Sequence, residues 1–179
     1  MSSYPWYEQI NGADLQQGDI LHRYPIFIHL PYTIPANIDA GEMPDVSADF
    51  LEANVIVLTQ SCDLAHAKVE MLIVCPVVDL GDVFPSTMHD NEKKSRFETI
   101  RQGKEPAFHM IACDGDISIA TSIIDFRRIY TTPKESVINF VSQVGERVRL
   151  LPPYREHLSQ AFARYFMRVG LPEDIPAFK

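Results

Sequence analysis

The stretch "NVIVLTQSCDLAHAKVEMLIVCPVV", residues 54–78, constrains the fold more than any other part of this chain. Two runs rich in Val, Ile and Leu, Val55–Cys62 and Val69–Val78, flank a short polar loop. Runs of strand length with no alternating polar residue are buried on both faces. Paired as a hairpin around a 63–68 loop, they set Cys75 opposite Ile56 and Cys62 opposite Val69. The core is therefore built on β-structure, and the loop carries Cys62, Asp63, His66 and Lys68 at its mouth.

Turn and cap signals divide the rest of the chain. Gly18-Asp19 precedes two short strands interrupted by Pro25, and residues 35–53, acidic and without periodicity, read as a surface excursion. A helix is expected near 91–102, ended by Gly103 and Pro106. Asp114-Gly115 sits between two strand-like runs, the strongest short-range hairpin signal. "SIIDFRRIYT" reads as one strand, with Arg128 and Arg127 on opposite faces. Thr132, Pro133 and Glu135 have the spacing of a capping box for a helix whose stripe is Val137, Ile138, Val141 and Val144, stopped by Gly145. "ERVRLL" places Arg147 and Arg149 on one strand face. In the last helix Leu158, Ala161, Phe162, Tyr165 and Val169 recur at helical spacing. Burying four large side chains of that stripe is worth roughly 6–12 kcal/mol gross, so the helix must dock.

The 179 residues, 46% hydrophobic and 22% charged, suit one globular domain with an ordinary core. No apolar run approaches the length of a membrane-crossing helix, and the three cysteines, an odd number, make no disulfide framework. A cytoplasmic bacterial protein with reduced thiols is expected.

The net charge of −8 is unevenly spread. Residues 1–90 carry two basic side chains, Arg23 and Lys68, against thirteen acidic ones. Residues 127–168 carry eight basic against three acidic, and seven of the eight are arginine: Arg127, Arg128, Arg147, Arg149, Arg155, Arg164 and Arg168. Two readings follow. Either the two halves attract each other inside the fold, or the arginines form a basic face for nucleic acid or an acidic protein.

The loop quartet also has two readings. A Cys–His pair can make a thiolate nucleophile, and C-x3-H can supply two metal ligands. A zinc site would need Cys62 and His66 joined by His89, His109 or Cys113, at no recognised spacing. The structural alternative is a small buried thiol at a strand end, with Asp63 shaping the turn and pairing with Lys68. Phosphate-loop, dinucleotide, zinc-protease and serine-hydrolase motifs are absent from the sequence.

The stations "QGDIL" (17–21), "VIVLTQ" (55–60), "LIVCPV" (72–77) and "IIDFRRIYTTPKES" (123–136) resemble, in order, those of the MazF/PemK-like toxin superfamily. The resemblance implies an α+β, mainly β fold: an SH3-like barrel over residues 1–150, with insertions at 35–53 and 80–106, and a C-terminal helix within 151–179 docked on it. It also implies a toxin–antitoxin or defence-like setting. The chain would act as a binding component there, contacting RNA, DNA or an acidic protein through its late arginines, without membrane or cofactor, and with a homodimer as one possible state. Metal-independent RNA cleavage, the family's activity, would fall to Arg127 or Arg128 with Thr59 or Ser61. A Cys62-dependent enzyme or a Cys/His metal site is the third alternative. The chain departs from the family at two points: Gln17 replaces the basic residue that leads the first station, and Val77-Val78 follow the proline where threonine is usual. "SCDL" with Lys68, and the terminal "PPYREHLSQAFARYFMRVGLP", also resemble a bacterial family of unassigned function.

Overall fold

A computed structural model describes residues 4–31, 47–66, 68–117 and 119–167. Among them run eight strands: β1 (Tyr7–Asn11), β2 (Asp19–His29), β3 (Ala48–Val57), β4 (Met71–Asp79), β5 (Phe108–Ile111), β6 (Ser122–Asp125), β7 (Tyr130–Pro133) and β8 (Glu146–Leu150). Five helices join them: α1 (Ser61–Ala65), α2 (Leu80–Val83), α3 (Asp90–Arg101), α4 (Lys134–Val144) and α5 (Tyr154–Phe166). The chain is α+β, and its sheet is antiparallel throughout. The strand order is β1-β8-β2-β3-β4-β6-β5, with β7 also paired to β4.

The apolar runs at 55–58 and 72–75 follow from this layering. Ile20, Ile56, Cys75, Val148 and Leu150 turn to one face and pack with Leu158 of α5. Their neighbours Leu21, Val55, Val57, Leu72 and Val74 turn to the other face and pack with Val137 and Val141 of α4. With a helix on each side, both strand faces must be apolar, and alternation disappears from the sequence. The Ile56–Cys75 pairing expected from the sequence is the register found. A third cluster, Phe84, Ile100, Phe108 and Ile123, seats α3 on β5 and β6.

The sheet curls without closing. No ladder joins its terminal strands β1 and β5 among the described residues. Tyr7 of β1 and Ile111 of β5 nevertheless share one core cluster, and the Tyr7 hydroxyl donates to the Ala112 carbonyl at 2.6 Å. No helix among the described residues is long and apolar enough to cross a membrane.

Several local expectations are corrected. The 58–68 segment is not a bare loop between two long strands; β3 stops at Val57 and α1 forms a helical turn over Ser61–Ala65. β2 is one strand through Pro25, with an irregularity between Leu21 and Tyr24 where Arg23 takes a φ of 52°. Residues 48–53, read as excursion, extend β3 against Tyr24–His29; residues 35–46 lie outside the described set. The Asp114-Gly115 turn does not join two full strands. Asp114 and Ile119 form one bridge, and the hairpin proper pairs Phe108–Ile111 with Ser122–Asp125.

"SIIDFRRIYT" breaks in the middle because the Asp125 carboxylate accepts the Arg127 backbone N–H at 3.0 Å, an Asx-type turn that ends β6. The capping box does not form. The Thr132 hydroxyl is committed to the Tyr24 hydroxyl at 2.6 Å, so Thr132 stays in β7 and α4 starts at Lys134. Gly145, at φ 76°, stops α4 as expected.

Candidate functional site

The arginines separate into spent and available groups. Arg147 and Arg149 face the same way from β8, but both are buried around Asp19, which is 0% exposed. Arg147 Nε reaches Asp19 Oδ2 at 2.8 Å, and Arg149 Nε reaches Oδ1 at 2.5 Å. Their remaining N–H groups donate to the carbonyls of Gly12 and Asp14. The triad thus ties the turn before β2 to β8. Gly18 completes the seam at φ 89°, where an added Cβ would meet the Leu150 Cβ at 3.1 Å and carbonyl at 3.2 Å. Assigning Arg147 and Arg149 to nucleic acid is therefore corrected: they are part of the interior, and the attraction of the acidic first half for the basic second half accounts for them.

Arg127 and Arg128 lie in the β6–β7 turn rather than on a strand. Both approach Asp125, Arg127 Nε at 2.9 Å and Arg128 Nε at 3.3 Å, and Arg127 stacks 4.5 Å from the Phe108 ring centre. Burial pushes the Asp125 carboxyl up. The hydrogen bonds from Arg127 and both guanidinium charges outweigh that, and hold it below its ordinary value. Arg155 is half-buried between Gln16 and Glu156. Arg164 is exposed and has no ion-pair partner among the described residues, and Arg168 lies outside them. The six described arginines of this set do not make one basic face.

The loop quartet is likewise dispersed in role. Cys62 is exposed, not buried, and its sulfur lies 3.6 Å from Gln60 Oε1 and 3.7 Å from Asp63 Oδ1. Both neighbours accept from the Cys62 thiol. The expected Asp63–Lys68 pair is present at 3.8 Å across an exposed mouth. Asp63 shapes the turn through its backbone carbonyl, which accepts the Lys68 N–H at 3.1 Å. Thr59 Oγ1 accepts the Ile73 N–H at 2.8 Å, and Ser61 Oγ accepts the Gln17 N–H at 3.1 Å, so both hydroxyls bind backbone. Among the described residues no three His, Cys, Asp or Glu side chains gather as a metal site. Burial, then the nearby Asp125 charge, push the Cys75 thiol up to about 12, so it is inert core.

What the fold does build lies on either flank of α5. The helix is held by Leu158, wholly buried, and by a polar relay: Ser159 Oγ donates to Gln17 Oε1 at 2.9 Å, while Gln17 Nε2 donates to the Leu58 carbonyl at 2.8 Å. On one flank Phe162 and Phe166 face Met71 and Ile73 across an apolar groove of about 440 Å³ that reaches Thr59 and Asp63.

On the other flank His157, Gln160 and Arg164 face His109 of β5 and the Arg101–Gly103 end of α3. They enclose a groove of about 330 Å³. The last carbonyls of α3 are consumed by the amides of Gln102, Gly103 and Lys104, so the helix end presents no row of free acceptors to this groove. Arg101 pairs with Glu98 on the exposed surface, an exchangeable contact. His109 sits flat against Phe126, centroids 6.4 Å apart, and burial together with the His157 charge pushes it down to about 4. It is therefore neutral at pH 7 and supplies a hydrogen-bonding ring, while Arg164 supplies charge. The sequence contained a sign of this flank: His157, Gln160 and Arg164 recur at i, i+3 and i+7, a polar stripe on α5.

No family model, curated protein or solved structure matches this chain.

Proposed function

We propose that the chain is a nucleic-acid-binding component of a bacterial toxin–antitoxin or defence-like system, cytoplasmic, built as a MazF/PemK-like barrel with an inserted helix and a docked C-terminal helix. A single RNA strand lies in the groove between α3, β5 and α5. The order of the four family-like stations supports the barrel, as does the curl that brings Tyr7 to Ala112.

One observation carries the binding role: Arg147 and Arg149 are spent on Asp19, and Arg127 and Arg128 on Asp125, whereas Arg164, with no ion-pair partner among the described residues, lines a groove with Arg101, His157, Gln102 and Gln160. A guanidinium with neighbouring amide donors suits phosphate oxygens. Lys104, exposed and next in the chain to Gly103 of the groove, adds positive charge nearby. The opposite flank is mainly apolar, and no cation lines it among the described residues.

Fluorescence anisotropy with a labelled RNA oligonucleotide tests this. The wild-type chain binds at low salt, and Gln160→Glu, which adds a carboxylate beside Arg164, weakens binding about tenfold or more. Undiminished binding by that variant, or no binding by the wild type, refutes the groove.

Endoribonuclease activity is the second reading, favoured by a specific feature: two imidazoles, His109 and His157, line the same groove as Arg164, where a bound ribose and phosphate would lie within reach of both. Arg127 or Arg128 with Thr59 or Ser61 is a less suitable set, because those arginines bind Asp125 and those hydroxyls bind backbone. RNA cleavage in EDTA that is lost in His109→Phe would establish it; RNA left intact on prolonged incubation would leave a binding protein.

A further inference from the structure

A separate groove of about 400 Å³ lies where α2 meets the middle of α3. Leu80, Gly81 and Phe84 line one side of it, and Lys93, Lys94 and Phe97 the other. The lysines precede Phe97 by four and three residues, so all three project from one face of α3. Leu80 and Phe97 are half-buried, and Phe84 continues inward to the cluster that seats α3 on β5 and β6. Beside Gly81 the space is open: a Cβ added there would meet no atom within 4 Å. The groove shares no lining residue with the α5 groove.

Its walls are apolar, and the charge among its lining residues is of one sign. The two arginines of α3 are already paired, Arg96 with Glu105 at 2.8 Å and Arg101 with Glu98 at 2.5 Å. Lys93 and Lys94 have no ion-pair partner among the described residues, and no carboxylate is among the residues that line the groove. In a chain whose net charge is −8, this is a local reversal of the field, and it favours an anion.

We propose that this groove binds a medium-chain fatty acid, with its carboxylate at Lys93 and Lys94 and its hydrocarbon tail against Leu80, Phe84 and Phe97. The two halves of the groove call for the two halves of such a ligand. An uncharged apolar molecule gains nothing from the ammonium groups, a small bare anion gains nothing from the apolar walls, and a cation is repelled. The volume is that of a small-molecule site. An acidic protein segment fits less well. The apolar wall is one pocket, not a row of anchor sites along α3. Asp82, Asp90 and Glu92, exposed on the adjoining turns of α2 and α3, would repel the further carboxylates of such a segment. The proposal is independent of RNA binding.

Isothermal titration calorimetry of the full chain with sodium decanoate, kept below its micelle concentration, is the test, with circular dichroism to verify that each variant is folded. The wild type saturates at one decanoate per chain. Lys93→Glu combined with Lys94→Glu reverses the charge at exposed positions and weakens binding about tenfold or more. Gly81→Leu leaves both lysines in place, fills the open space beside residue 81, and weakens binding to a similar degree. Octanoate binds several-fold more weakly than decanoate, because less hydrocarbon is buried, and 1-octanol, which lacks the charge, binds about tenfold more weakly than octanoate. No saturable binding by the wild type overturns the proposal, as does uptake of many decanoates per chain, which is adsorption. Binding unchanged by the double charge reversal or by Gly81→Leu also overturns it, and so does 1-octanol binding as tightly as octanoate.

Discussion

β8 and α5 both carry arginines, and in sequence they look alike; their surroundings give them opposite tasks. Arg147 and Arg149 alternate with Val148 and Leu150 on a strand covered on both faces, so each guanidinium had to find a buried acceptor, and Asp19 supplies one. Arg164 lies on a helix whose opposite side is the docked one, and its charge stays in water beside a groove. An arginine becomes available for a ligand only where burial has not already obliged it to pair. Net charge does not reveal which case holds.

The sharpest way to break this contrast is Asp19→Asn. Removing the carboxylate leaves two buried guanidinium groups short of an anion, and the cost is about 3–5 kcal/mol, read as a fall in the urea midpoint. Replacing the whole triad by Asp19→Leu, Arg147→Met and Arg149→Leu recovers much of that loss, because the desolvation of three charged groups disappears together. If Asp19→Asn unfolds no more easily than the wild type, the triad is not structural.

A smaller effect comes from His109. Its folded pKa is depressed to about 4 from the ordinary 6.5, so the folded state prefers the neutral ring. That contribution to stability is complete above about pH 6.5 and is lost as pH falls toward 4. About 2 kcal/mol goes by pH 5. Urea titrations at pH 7 and pH 5 give this difference, and His109→Phe removes most of it. An equal pH dependence in that variant would place the effect elsewhere.

Smallest of all is the β6–β7 turn: Arg128→Ala, losing a half-exposed contact to Asp125, changes stability by less than about 1 kcal/mol. A loss of several kcal/mol would show that Arg128 belongs with the buried pair on β8.

The parts legible in the sequence were those governed by neighbours along the chain. The Ile56–Cys75 register follows from two apolar runs and a short connection. The α3 helix and the Gly145 stop follow from local caps, and the Asp63–Lys68 pair spans one loop. The misread parts turn on partners far away or on a side chain competing with the backbone. Asp19 meets residues 147 and 149 only once β8 slides in beside β2. Thr132 abandons its capping role for Tyr24, more than a hundred residues earlier. Asp125 ends β6 by capturing the Arg127 amide, which no apolar pattern announces. The groove joins β5, α3 and α5, so His109 and His157 carried no joint signal, although the stripe on α5 was present.

The salt dependence of RNA binding tests the division between the two arginine groups most directly. In a plot of log affinity against log salt, Arg164→Ala should flatten the slope by about 0.7, one phosphate contact on a single strand, while Arg128→Ala leaves it as in the wild type. A slope unchanged by Arg164→Ala, or flattened instead by Arg128→Ala, would contradict the assignment of the α5 groove.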